Sequence, residues 1–140
     1  MTIAYLGLGS NVGERAGNLA RARDLLAGRG AAPLRESSIR ETEPYGVTDQ
    51  PRFLNQVIEV EWGGTPRELL AAAKAVEAAI GRTPTYRWGP REIDVDILLI
   101  GDERVSDTDL VIPHPGLWDR DFVLGPLGEL RPDLVEARRR

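Results

Sequence analysis

Two aspartates separated by one residue, Asp94 and Asp96, are the strongest candidates for chemistry in this sequence. The apolar run 93–100 around them predicts a β-strand, in which residues two apart point to the same face, about 7 Å apart. Aspartate is disfavoured in strands, and two carboxylates on one face repel each other unless a cation lies between them. Oxygen ligands without His or Cys suit Mg²⁺, which binds one or two carboxylates and completes its shell with water and phosphate. By spacing alone, two solvated acids on an exposed strand face remain the alternative.

The segment before this strand favours the metal site. It reads Arg87-Trp88-Gly89-Pro90-Arg91, with Arg82 five residues earlier. Arginines beside a metal pair can neutralise the charge of transferring phosphates, and Trp88 offers a flat face for stacking a planar ring. A surface turn with solvated arginines is the alternative, but it gives no reason for the tryptophan. The sequence therefore indicates a magnesium-dependent enzyme that handles a nucleotide polyphosphate.

Composition sets the broad class. The chain has 140 residues, 41% of them hydrophobic and 29% charged, which are globular values, and we expect one domain over 1–140. It has no cysteine, so neither disulfides nor a thiolate zinc site is available. The net charge of −4 argues against nucleic-acid binding. With no leader pattern and no bilayer-length apolar run, we expect a cytoplasmic protein without a membrane segment.

Hydrophobic periodicity predicts the elements that must position these residues. Thr65-Pro66-Arg67-Glu68 has the signature of a capped helix start, and Gly81 is placed to end that helix. An earlier helix, with Asn11 and Glu14 as its cap, ends near Gly28. The predicted strands cover residues 2–8, weakly 34–42, 53–62 and 93–100, with another near Val105. This order predicts an α+β sandwich of ferredoxin-like type, a mostly antiparallel sheet with helices packed on one face, followed by loops and one or two short helical pieces.

Further candidates are ambiguous by pattern. Lys74 and Glu77 lie three apart on the second helix, and a surface ion pair is favoured over a ligand contact. His114, between two prolines, is either structural or a phosphate ligand. Arg120 and Phe122 either reach the same place or simply pack.

The loop between the second and third strand signals carries a second set. Asn55 and Phe53 share a strand face, and a carboxamide can bond to the donor and acceptor edges of a heterocycle on which the ring stacks. A core Phe and a turn-bonding Asn fit the pattern equally well. Thr42, Pro44 and Tyr45 lie at the other end of the loop. The Gly7–Gly13 run is one residue too long for a dinucleotide fingerprint and predicts a tight turn.

Taken together, these motifs resemble one known family, that of 6-hydroxymethyl-7,8-dihydropterin pyrophosphokinase. The resemblance covers nearly the whole chain in order and is most specific in its fourth segment. The matching segments are Gly9-Ser10-Asn11, Thr42-x-Pro44, Gln50-Pro51-x-Phe53-Leu54-Asn55, Arg87-Trp88-Gly89-Pro90-Arg91-x-Ile93-Asp94-x-Asp96 and Pro113-His114.

The resemblance implies a ferredoxin-like fold, a monomer, and transfer of the pyrophosphoryl group of ATP to the pterin alcohol in folate biosynthesis. It implies that Asp94 and Asp96 hold two Mg²⁺ ions and that Arg82, Arg91 and Trp88 are the catalytic residues. The implied ATP-binding residues are Lys74, Glu77, Arg82, Trp88, Arg91, Ile97, His114 and Arg120. The implied pterin-binding residues are Thr42, Pro44, Tyr45, Phe53, Asn55, Trp88, Asp94 and Phe122.

The sequence departs from the family pattern at Thr83-Pro84, at Asp109 and Val111, and at its early C-terminus. These departures concern the rate and the adenine contacts rather than the metal site. The competing hypothesis is a non-catalytic ferredoxin-like module that binds a small ligand. That hypothesis gives no reason for two aspartates to share a face beside arginines.

Overall fold

The computed structural model describes residues 1–43, 51–81, 92–118 and 120–139, with the backbone alone for 121, 122 and 137–139. Its elements, in chain order, are β1 Thr2–Ser10, α1 Arg15–Ala27, β2 Pro33–Glu36, β3 Arg40–Thr42, β4 Phe53–Trp62, α2 Pro66–Ile80, β5 Asp94–Ile100, β6 Val105–Ser106, β7 Val111–Ile112, α3 Asp121–Leu130 and α4 Pro132–Arg139.

The main sheet is antiparallel in every described pairing, with the strand order β2-β4-β1-β5 and with β3 also paired to β4. The weak strand signal over 34–42 is thus divided between β2 and β3, which pair successive parts of β4. Counted as one interrupted strand, they give the ferredoxin-like order in which the first strand lies between the third and the fourth. The predicted fold class is confirmed.

Helix α2 starts and ends where its local signals place it. The Thr65 hydroxyl accepts from the backbone N–H of Glu68, and the Glu68 carboxylate accepts from the N–H of Thr65 at 2.8 Å. Gly81 ends the helix at φ 92°, a left-handed conformation that favours glycine.

The predicted Asn11 cap is wrong. Helix α1 begins after Glu14, and no side chain caps it. Asn11 is buried instead, and its amide donates to the Pro51 carbonyl at 3.0 Å.

Helices cover both faces of the sheet, and not only the one face that was predicted. On the first face α1 and α2 pack over β1, β4 and β5 through a core that includes Leu6, Leu8, Ile58 and Val95. On the second face α3 packs over β4 through a smaller core, whose members are Tyr5, Val57, Leu98, Leu117, Val123, Leu127 and Leu130. The candidate chemistry lies on this second face, beyond the edge of the smaller core.

Two carboxylates attach α3 and its C-terminal end to the sheet. Glu59 accepts from the Tyr5 hydroxyl at 2.6 Å and twice from Arg35, which also donates to the Leu130 carbonyl at 2.9 Å. Glu129 accepts from Ser38 and Arg40 on the sheet side. The Ser38 and Arg40 hydrogen bonds lower the pKa of Glu129 to about 2, and Arg35 lowers the pKa of Glu59.

We therefore expect the free energy of unfolding to fall as the pH drops from about 4.5 towards 2. Both carboxyls have a lower pKa when folded than when unfolded. The stability that they contribute is therefore present above the unfolded pKa and is lost as they are protonated. Urea unfolding at a series of pH values measures this loss, and Glu129→Gln should make the pH dependence shallower. Glu61→Gln, at an exposed strand position, is the control and should keep the parent slope; a parent slope in Glu129→Gln would contradict the assignment.

Candidate active site

Three neighbouring strands bring the candidate residues onto one face of the sheet. Asp94 of β5 lies opposite Gly9 of β1, which lies opposite Asn55 of β4. In the next row, Asp96 lies opposite Gly7. Strands are spaced about 4.8 Å apart, so β5 and β4 are roughly 10 Å apart. Between them the two glycines form a floor without side chains, on which a ligand could extend from the aspartates to Asn55.

The aspartate pair faces outward, as the strand period predicts. Asp94 is half-buried and Asp96 is exposed. Their neighbours Ile93, Val95 and Ile97 are at most 5% exposed in the core on the other face.

The donor set of this pair fits a hard, oxygen-preferring cation. Within the described ranges no group of three His, Cys, Asp or Glu side chains could hold a metal. One half-buried and one exposed carboxylate suit Mg²⁺, which completes its shell with water and substrate phosphates.

Glu77 of α2 fixes the strand between the two aspartates. Its side chain is only 5% exposed, and Oε2 accepts from the buried backbone N–H of Val95 at 2.9 Å. Oε1 lies 3.4 Å from the ammonium group of the exposed Lys74, so the favoured ion pair is confirmed. Glu77 is nevertheless more buried than a surface pair would be, and it holds the backbone of the candidate metal strand.

Replacing Glu77 with alanine should therefore destabilise the protein by about 1–3 kcal/mol, because the buried N–H of Val95 loses its acceptor. Glu77→Gln keeps an oxygen acceptor and should lose less. Urea unfolding of both variants measures the difference. Equal losses in the two variants would show that the Val95 contact is not what the side chain supplies.

The second set of candidates also comes together. The Asn55 amide donates to the Thr42 hydroxyl across the β3–β4 pair, where Phe53 lies opposite Thr42. The Asn55 side-chain oxygen lies 3.1 Å, and a ring carbon of Phe53 3.4 Å, from where a Cβ on Gly9 would stand. Thr42, Phe53 and Asn55 therefore form one wall beside the glycine floor. Pro44 and Tyr45 lie outside the described residues, and Phe122 is described only by its backbone position in the first turn of α3.

His114 lies in a loop that is tied to β5. Its backbone N–H donates to the Leu98 carbonyl at 3.0 Å, two residues beyond Asp96. Its ring Nδ1 accepts from the N–H of Gly116 at 3.0 Å, so the proton of the neutral ring is on Nε2. Burial, and secondarily the charge of Arg120, lower the pKa of His114, which keeps the ring neutral at pH 7.

Arg120 shares this loop. Its guanidinium lies over Gly116, with Nε 2.7 Å from where a Cβ would stand on that glycine. The neutral His114 ring, with its Nε2–H donor, and the Arg120 guanidinium thus lie close together beside β5. Such a pair can bind a phosphate.

The remaining predicted site residues fall in two groups. Arg82, Trp88 and Arg91 lie outside the described residues. Ile97 is 5% exposed in the core under α1 and α2, so its side chain does not point to the sheet face that carries the aspartates.

Neither the glycine floor nor a partner for Asp109 is predicted by the motifs described above. Two glycines two apart inside a strand are a signal for close approach of a ligand or another backbone. Asp109, where the sequence departs from the family pattern, accepts with both carboxylate oxygens from Nη1 of Arg67, each at 2.8 Å.

The fold and this face together define a class: a ferredoxin-like sandwich whose sheet surface carries a pair of carboxylates, of the type that suits a hard cation, beside a polar and aromatic wall. Within this class the chain matches one known family: residues 5–132 match the model of the 7,8-dihydro-6-hydroxymethylpterin-pyrophosphokinase family.

Curated relatives indicate the same family. The chain is 47% identical over 136 residues to the 2-amino-4-hydroxy-6-hydroxymethyldihydropteridine pyrophosphokinase of Methylorubrum extorquens, covering 96% of this chain and 86% of that protein. It is 44% identical over 129 residues to the protein of the same name from Bacillus subtilis, covering 91% and 77%. It also matches the mitochondrial folate synthesis bifunctional protein of Pisum sativum at 46% over 132 residues, covering 94% of this chain but only 26% of that protein.

Solved structures support the fold. A crystal structure of an HPPK-DHPS in complex with substrates superposes with a TM-score of 0.73 at 14% identity, covering 94% of this chain and 40% of that one. The HPPK-DHPS of Plasmodium falciparum with pteroate superposes with a TM-score of 0.70 at 16% identity, covering 91% and 38%. The chain thus spans about two fifths of these two-part proteins.

The chain belongs to the 7,8-dihydro-6-hydroxymethylpterin-pyrophosphokinase family. It is an enzyme of folate biosynthesis that transfers a pyrophosphoryl group to the hydroxymethyl-dihydropterin.

Proposed function

We propose that this chain takes ATP as its donor and transfers the terminal pyrophosphoryl group to the hydroxymethyl oxygen of 6-hydroxymethyl-7,8-dihydropterin. The products are AMP and the pterin pyrophosphate. One observation carries the proposal: Asp94, Gly9 and Asn55 lie in register across three strands, so a polyphosphate at the aspartates and a heterocycle at Asn55 would share one floor.

Asp94 and Asp96 are the residues that would hold two Mg²⁺ ions. When bound with the nucleotide, these ions would neutralise phosphate charge and orient the pyrophosphoryl group. The donor set supports this part of the proposal, since hard carboxylate oxygens are what Mg²⁺ prefers. Phosphoryl transfer depends on positioning and on charge neutralisation more than on a general base.

The other residues position the two substrates. Asn55, Phe53 and Thr42 orient the pterin through the carboxamide, the ring face and the hydroxyl. His114 Nε2–H and Arg120 bind phosphate oxygens, and Glu77 keeps the aspartate strand in place with Lys74 beside it. On the family resemblance we add roles for residues outside the described part: Arg82, Arg91 and Trp88 in catalysis and ATP binding, and Pro44 and Tyr45 at the pterin.

Two properties of the whole molecule complete the proposal. We propose that the chain works as a monomer and that it acts in the cytoplasm. Within the described ranges, none of the helices combines the length and the apolar character that crossing a bilayer requires. Family membership argues against the alternative, a module that binds a small ligand without chemistry.

Binding of a non-hydrolysable ATP analogue tests the metal assignment. Calorimetry should show strong binding with Mg²⁺, weak binding with EDTA, and little difference between the two conditions in a variant that carries Asp94→Asn and Asp96→Asn. Pterin affinity should rise when the analogue and Mg²⁺ are present. Analogue binding that ignores Mg²⁺ in the parent protein would contradict the proposed site.

A further inference from the structure

A charged cluster lies beside the wall formed by Thr42, Phe53 and Asn55, here called the pterin wall, and is not needed for the chemistry proposed above. Arg40 of β3 lies opposite Asn55 and two residues before Thr42, so its side chain starts from the same sheet face as both. It extends away from the site to Glu129 on α3, with Nε at 3.1 Å and Nη2 at 2.6 Å from one carboxylate oxygen. Arg40 thus connects the strand of the pterin wall to the helix above it.

Glu129 holds that strand at a second point. Its carboxylate accepts from the Ser38 N–H at 2.8 Å and from the Ser38 hydroxyl at 2.6 Å, just before β3 begins. Four hydrogen bonds from two residues, Ser38 and Arg40, therefore end on one carboxylate. Its pKa of about 2 keeps it ionised at any physiological pH.

Gly125, one helical turn before Glu129, makes room for Arg40. A Cβ at Gly125 would stand 2.5 Å from Nη1 of Arg40, so the guanidinium at the end of that side chain would have to shift, and 3.3 Å from its Cζ, a tight contact. Glycine inside a helix costs about 1 kcal/mol relative to alanine, and α3 also contains Pro126 and Gly128. A helix with such weak intrinsic propensity depends on its tertiary contacts for its position.

Strand β3 and helix α3, which the Arg40–Glu129 contact joins, lie on two sides of the candidate site. Strand β3 carries Thr42, which accepts from Asn55. Helix α3 starts directly after Arg120, its N-cap residue. A contact that sets the distance between β3 and α3 therefore sets the position of the pterin wall relative to the helix start.

We propose that Arg40 and Glu129, with Gly125 as the space that admits the guanidinium, form a latch that positions the pterin wall. They act on the pterin through Thr42 and Asn55 and are positioning residues. The inference deepens the proposed function and rests on it, because its main readout is the KM for the pterin.

Steady-state kinetics of Arg40→Lys and Glu129→Gln test the latch. The KM for the pterin should rise about ten-fold in each, as expected when charge-assisted hydrogen bonds are lost. The KM for ATP and kcat should stay within about two-fold of the parent, since the aspartate strand is on the other side of the floor. Lower stability with an unchanged KM for the pterin would overturn the proposal and leave a structural role only.

Arg67→Lys and Asp107→Asn are matched controls. Arg67 joins α2 to the segment 107–109 through an ion pair of similar geometry, with Nη2 2.7 Å from Asp107. Neither control should change the KM for the pterin. A rise as large as that in the latch variants would overturn the proposal, because any lost surface ion pair would then have the same effect.

A double-mutant cycle isolates the role of Gly125. Gly125→Ala in the parent should displace Arg40 and raise the KM for the pterin. The same change in an Arg40→Ala background should leave that KM unaltered and raise the unfolding midpoint, because only the better helix propensity of alanine remains. Equal increases in both backgrounds would show that Gly125 does not serve Arg40.

Hydrogen exchange separates failure of the latch from failure of the proposed function. The amides of Arg40–Thr42 and Asn55 should exchange faster in Glu129→Gln than in the parent or in Asp107→Asn, whether or not the protein turns over. A parent that forms no AMP would refute the proposed function alone. Unchanged exchange in Glu129→Gln would overturn the latch even in an active enzyme.

Discussion

Replacing Asp96 with alanine is expected to reduce turnover by about a hundred- to a thousand-fold without unfolding the protein. Asp96 is exposed on β5 and adds nothing to the core on the opposite face, so the fold has little reason to depend on it. The proposed Mg²⁺–ATP complex, in contrast, would lose half of its protein carboxylates. The initial rate of AMP formation measures the first effect, and circular dichroism with urea unfolding measures the second.

Glu61→Ala is the matched control for this variant. Glu61 is another exposed carboxylate, located on β4 towards the far end of the sheet. Its removal should leave the rate at the parent value. If Asp96→Ala also kept the parent rate, the metal site would have to lie elsewhere.

Replacing Gly9 with valine is expected to weaken pterin binding by about a hundred-fold while keeping the fold. A Cβ at Gly9 would stand 3.1 Å from the Asn55 side-chain oxygen and 3.4 Å from the Phe53 ring, so even the first added carbon would require the Asn55 side chain to shift by a few tenths of an ångström. The two valine methyl groups would then fill the floor. Because β-branched residues suit strands, the unfolding midpoint should not fall greatly. Pterin affinity, measured by fluorescence with a bound ATP analogue, gives the result.

A matched pair of alanine variants, Gly7→Ala and Gly9→Ala, provides the comparison. A Cβ at Gly7 would meet the Leu98 side chain at 3.5 Å, an ordinary contact distance, and it would not touch Asn55. Gly7→Ala should therefore bind pterin much more tightly than Gly9→Ala does. Equal losses of pterin affinity in the two variants would mean that any side chain on the glycine floor blocks the pterin. The contact with Asn55 would then have no separate effect.

Much of the fold could be predicted because its signals are local. The predicted strand 53–62 has the observed bounds of β4, since alternation with period two needs only the strand itself. The start and end of α2 follow from a capping box and a left-handed glycine within the same few residues. The shared face of Asp94 and Asp96 follows from strand geometry in the same way.

The layer on the second face could not be predicted, because it depends on contacts between distant residues. Helix α3 contains Gly125, Pro126 and Gly128, a composition that favours loops. It forms because Leu127 is fully buried against the sheet and Glu129 binds Ser38 and Arg40, about 90 positions earlier. The Asn11 cap failed for a similar reason, since the Pro51 carbonyl, 40 residues away, takes its side-chain amide.

The candidate site, like the fold, could be predicted where its signals are local. Residue types and spacing indicated Asp94 and Asp96 as candidates, and the motifs that resemble the family indicated Asn55, Phe53 and His114. The burial of Glu77 under β5 was not predictable from its helix position, because the Val95 N–H that it binds belongs to another element. The glycine floor needed the strand register, which pairs Gly9 with both Asp94 and Asn55.

The identity of the nucleotide product tests the central claim most directly. Purified protein would be incubated with ATP and Mg²⁺, with and without 6-hydroxymethyl-7,8-dihydropterin, and the products separated by ion-exchange chromatography. We predict AMP and the pterin pyrophosphate in equal amounts, formed only when the pterin and Mg²⁺ are both present. Formation of ADP, or of AMP at the same rate without the pterin, would contradict pyrophosphoryl transfer on this sheet face.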